Sequence, residues 1–130
     1  MVQPRAKSIM EIKSEAFSER IIKLYDYLIN VKHEKVISSQ IYRSGTSIGA
    51  NIAESRYAQS DPDFVSKLNI ALKEANETCY WLNCLGRRNI IDQRGHQSML
   101  HDATELVRIL ISAIKTKKKN MAKEDDNSER

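Results

Sequence analysis

Residues 43–54, RSGTSIGANIAE, decide how this chain folds. The stretch keeps an apolar period of helical spacing, yet it carries two glycines and few strong helix formers. Gly45, Gly49 and Ala53 recur every four residues and line one stripe of the expected helix. An interior glycine costs a helix roughly 1 kcal/mol relative to alanine. The usual compensation is close approach of a second backbone, made either inside one bundle or between subunits. On a second face, Arg43, Ser47, Asn51 and Glu54 follow one another at helical intervals. Gly45, Gly49, Ala53, Ser47, Asn51 and Glu54 are therefore the candidates for a helix-packing or oligomer interface. Gly49→Leu separates the two roles, since internal packing predicts unfolding and an interface predicts folded monomers.

Working outward, three more helical segments can be marked. The first spans residues 15–32, with Ser14 as its expected N-cap and Phe17, Ile21, Leu24, Tyr25 and Leu28 as its apolar stripe. Residues 33–37 form a connection. The glycine-bearing helix spans residues 39–58, capped by Ser38, with Ile41, Ile48 and Ile52 facing the core. A third start is explicit in Ser60-Asp61-Pro62-Asp63, which sets a cap, a first-turn proline and a first-turn carboxylate in the favoured order. That helix should stop at Gly86, with Arg87 and Arg88 complementing its dipole. Asp92 caps a fourth helix whose core face runs from Met99 to Ile114.

Beyond Ile114 the apolar period fades, and KTKKKNMAKEDDNSER should fray into disorder. Four amphipathic helices of similar length with short links imply an all-α, up-down-up-down bundle. The expected partition is a flexible arm at 1–13, a four-helix bundle at 14–114 and a basic tail at 115–130.

Composition narrows the function. A chain of 130 residues supports one domain with a real core. Aromatics make up only 6%, and glycine and proline are scarce, which favours helix over sheet. No run of about 18 apolar residues exists to span a membrane. The first residues lack an apolar signal region, so a cytoplasmic protein is expected. Cys79 and Cys84 lie about 140° apart around one helix, which points to unpaired thiols. The formal net charge is +4, but residues 14–114 hold twelve charges of each sign. The excess therefore sits in the arms, and an anionic partner must meet those arms or an uneven spread of charge over the body.

Catalytic signals are weak. Glu74 and Glu77 sit on adjacent turns of one helix and Glu54 on another. A di-iron bundle would need Glu-x-x-His from two helices, and no such motif occurs. Pairing of these carboxylates with Arg43, Lys73 or backbone groups across a helix seam is the simpler expectation. Residues 44–51 lack the Gly-Lys-Ser/Thr end of a phosphate loop. No catalytic, metal or cofactor-binding residue is assigned, and a non-enzymatic protein is expected.

The run SQIYRSGTSIGANIAES at 39–55 resembles the signature of the four-helix-bundle family named for the 23S ribosomal RNA intervening sequence. Gly45-Thr46-Ser47-Ile48 and Asn51-Ile52-Ala53-Glu54 carry the match. A second block, DFVSKLNIALKEANETCYWLNCL at 63–85, is similar to the third helix of that family. Ser55 stands where the family often has glycine or alanine. Together the likeness covers residues 12–118. It implies a left-handed bundle that assembles as a ring, usually a homopentamer, and says little about activity. The family is also similar to accessory proteins of diversity-generating retroelements, which use a basic ring to bind RNA or DNA.

Two functional classes follow. One is a nucleic-acid-associated accessory or scaffold protein gripping RNA or DNA backbone. Arg43, Arg56, Arg87, Arg88, Arg94, Lys115, Lys117, Lys118 and Lys119 are its candidate contacts. Tyr42 and Tyr57 beside Arg43 and Arg56 offer stacking. Its partners would be copies of itself and a polyanion. The other class is a protein–protein adaptor for an unidentified protein, which the neutral body favours.

Overall fold

The computed structural model describes residues 6–128. Four helices follow in order: α1 (Ile9–Asn30), α2 (Val36–Ser55), α3 (Asp61–Arg87) and α4 (Gln93–Ser128). Each packs on its sequence neighbours, and α4 returns to α1, with no diagonal contact. That pattern is the up-down-up-down bundle, and no strand occurs among the described residues. Phe17, Ile21, Ile48, Leu68, Leu82 and Leu106 are among the side chains sealed in its centre. The seam between α1 and α4 is the thinnest. It is tied by two ion pairs, Lys13–Glu105 at 2.6 Å and Arg20–Asp102 at 2.5 Å.

Several helix ends differ from the sequence reading. Helix α1 starts at Ser8, not Ser14. The Ser8 hydroxyl accepts from the Glu11 N–H (3.2 Å), and the Glu11 carboxylate accepts from the Ser8 N–H (3.4 Å). This reciprocal cap satisfies two orphan donors at once. Ser14 lies buried inside the helix and donates to the Glu11 carbonyl. Helix α2 begins at Val36 rather than Ser39 and ends at Ser55 rather than Ala58. Its start is held by Glu34, whose carboxylate accepts from the Val36 and Ser38 N–H groups. Ser38, expected as the cap, is buried in the first turn, and its hydroxyl has no partner among the described residues.

Helix α3 starts as read, with Ser60 accepting from the Asp63 N–H at 3.2 Å. It does not stop at Gly86. The chain turns at Asn89, whose φ of 57° is the left-handed conformation a helix stop requires. The Ile90 N–H closes on the Leu85 carbonyl and the Asn89 N–H on the Gly86 carbonyl. Asparagine tolerates that conformation better than most residues. Gly86 has another reason to lack a side chain, because a Cβ there would overlap the His96 ring. That ring is pinned by the Asn83 amide oxygen at 2.8 Å.

The two glycines of α2 face α1. A Cβ on Gly45 would lie 2.7 Å from Ile21 Cγ1, and one on Gly49 would lie 3.1 Å from Ser18 Oγ and 3.4 Å from the Ser14 carbonyl oxygen. Ala53 is exposed. Four residues advance a helix by about 400°, so the stripe drifts some 80° between Gly45 and Ala53. The drift carries Ala53 out of the seam.

The expected arm and tail also change. Residues 9–13 belong to α1, and α4 continues past Ile114 to Ser128. Met121 still rests against the core, and Lys117 bonds Asp61 at 2.9 Å while lying over the Phe64 ring at 5.3 Å. These contacts, with good helix formers around them, carry the helix past the end of its apolar face. The remaining parts of both segments, 1–5 and 129–130, lie outside the described residues.

Candidate nucleic-acid interface

An up-down-up-down chain returns its first and third links to one end. The link after α1 carries Lys32, His33 and Lys35. The other brings Arg87 and Arg88 at the end of α3 and Arg94 at the start of α4. All six side chains are exposed. The links meet in a shallow depression lined by Lys32, His33, Glu34, Lys35, Val36, Asn89 and Ile90. Two acids also sit in these links, and both cap helices. Glu34 holds the start of α2, and Asp92 Oδ1 accepts from the Gly95 N–H at 2.6 Å. Their charges complement helix N-termini, so the five lysine and arginine charges dominate the surface.

The sequence reading singled out the arginines of this pole and missed Lys32 and Lys35. Those lysines lie some fifty positions away in the chain, and only the alternation of links brings them beside Arg87 and Arg88.

The other candidate contacts separate into two kinds. Lys115, Lys118 and Lys119 are exposed on α4. At 1.5 Å per residue they begin about 31 Å along the helix from Arg94, at the far end of the bundle. Lys117 is engaged with Asp61 and Phe64. Arg56 bonds Glu11 at 3.2 Å, and only 14% and 11% of the two side chains are exposed, so it ties α2 to the cap of α1. Arg43 bonds Glu77 at 3.2 Å on the surface. Tyr42 leans on Tyr25, ring centroids 4.8 Å apart, while Tyr57 is open to solvent.

On the polar face of α2, Arg43 and Glu54 pair with α3, while Ser47 and Asn51 bond the backbone of their own helix. Glu54 bonds Lys67 at 3.3 Å, a partner the sequence reading did not name. The Ser47 hydroxyl donates to the Arg43 carbonyl, and the Asn51 amide to the Ser47 carbonyl. Thr78 Oγ1 hydrogen-bonds Ser44 Oγ at 2.9 Å in the buried part of the seam. Glu74 Oε2 is buried and has no hydrogen-bond partner among the described residues. Burial pushes the Glu74 carboxyl above its usual range, the neighbouring Glu77 adds to the rise, and Arg43 opposes it. Burial likewise pushes the Cys79 thiol up. No group of three or more His, Cys, Asp or Glu side chains among the described residues is arranged to hold a metal ion.

Fold and surface together define a four-helix bundle with a positive pole. No described helix is long and apolar enough to cross a membrane. A profile of the family described as 23S rRNA-intervening sequence protein matches residues 7–112, and the chain belongs to that family. A crystal structure from Bacteroides thetaiotaomicron, of a protein of unknown function from the S23 ribosomal protein family, is similar over most of this chain. It shares 53% sequence identity and a TM-score of 0.82, over 82% of this chain and 99% of that one. No curated protein matches.

Proposed function

We propose that this protein is a non-enzymatic accessory or scaffold protein of the cytoplasm that grips RNA or DNA backbone with its positive pole and acts as a ring, a homopentamer. The supporting observation is the gathering of Lys32, Lys35, Arg87, Arg88 and Arg94 at one end while the two acids of the same links serve as helix caps. Phosphate contact of this kind needs no base-specific group. A ring would present several poles to one polyanion and raise its hold well beyond that of a single pole.

Gel-shift titration against mixed RNA at increasing salt tests this reading. Four or five phosphate contacts should give a log–log slope of about −3. Replacing Lys35 or Arg88 with alanine should flatten the slope by roughly one unit or less each, without changing the fold. Absence of binding at low salt, or a flat salt response, would overturn it. A flat response together with capture of a defined protein would move the assignment to the adaptor class.

A further inference from the structure

The outer face of α3 carries a feature the backbone-gripping reading does not use. Lys73, Tyr80 and Arg87 are exposed and spaced by seven, so they lie on one stripe, successive members about 10 Å apart. Tyr80 is 57% exposed. It meets Trp81 edge-on, ring centroids 5.0 Å apart and planes at 79°. Trp81 is itself held, because its indole N–H donates to Glu77 Oε1 at 3.4 Å and Glu77 is tied to Arg43. A supported, solvent-facing aromatic ring thus stands two turns from the positive pole, on the face that ends in Arg87. The nearby acid of this stripe, Glu77, is neutralised by its ion pair.

We infer that Tyr80, backed by Trp81, is a stacking platform for an unpaired base, and that the pole's ligand is a single-stranded polynucleotide rather than a duplex. This rests on the backbone-gripping reading and narrows it. Phosphates meet Arg87, Arg88 and the lysines of the links, while a base from the same strand stacks on the Tyr80 ring. Every base has a π-face, so the contact carries little sequence preference. A duplex keeps its bases stacked inside and can offer only phosphates.

Trp81 is the chain's one tryptophan, so its emission reports on the platform directly. Titration with oligo(dT) should quench that emission, and the matching dA·dT duplex should leave it unchanged. Tyr80→Ala should weaken oligo(dT) binding about tenfold and leave duplex binding alone, while Tyr80→Phe retains the single-strand preference. Unaltered duplex binding by Tyr80→Ala also shows that the variant is folded. Equal affinity for both forms with no effect of Tyr80→Ala would overturn the platform and leave the backbone grip standing. Shielding of Trp81 from acrylamide by self-association alone would also overturn it, by showing that a second copy covers the ring. Should neither nucleic acid bind, the grip itself falls and the platform with it.

Discussion

Arg56 and Arg43 carry the same charge in opposite settings. Arg56 and Glu11 are both largely shielded from water, and Glu11 also caps α1. Removing the guanidinium leaves a shielded carboxylate without its cation. Arg56→Ala should therefore cost roughly 2 kcal/mol in urea denaturation. Arg43→Ala breaks an exposed pair and should cost under about 1 kcal/mol. Glu74 gives the pH counterpart. Its folded pKa lies above the unfolded value, so the folded state holds the proton more tightly. Its contribution is most favourable at pH below about 4.5 and is lost as pH rises through the raised value. Glu74→Gln should consequently raise the melting temperature at pH 7 and leave it nearly unchanged at pH 4, as differential scanning calorimetry would record.

Among the helices, the ends decide what could be read in advance. Helix α3 was legible because Ser60, Pro62 and Asp63 state its start locally, and the structure uses them as written. Helix α1 carried an equally local signal, Ser8-x-x-Glu11, which the reading passed over in favour of Ser14. Ser8→Ala should cost about 1 kcal/mol of stability by chemical denaturation. The start of α2 was harder, since a glutamate before the helix does the capping. Gly86 misled for a different reason: a glycine near a helix end suggests a stop, and here it makes room for His96 from α4. The glycines of the opening motif lie against α1, and which neighbour they meet depends on tertiary contacts no local pattern contains. Lys32 and Lys35 were missed on the same ground, because their proximity to Arg87 and Arg88 is a property of topology.

For the molecule as a whole, the proposed ring is open to a direct measurement. Multi-angle light scattering should return a mass several times the 14.9 kDa of one chain. A constant single-chain mass over a wide concentration range would remove the ring. Gly45 is buried against α1, whereas Gly49 is half-buried and lines a surface depression with Ile12, Glu15 and Ser18. Exposed apolar side chains such as Ile9, Ile12, Ile70 and Ile111 are available for an interface between copies. Because α1 starts and α4 finishes at the end opposite the positive pole, Ile9 stands about 33 Å from it along α1 and Ser128 about 53 Å from it along α4. Chains immobilised by their ends would present the lysine- and arginine-bearing links outward, ready for a flowing analyte.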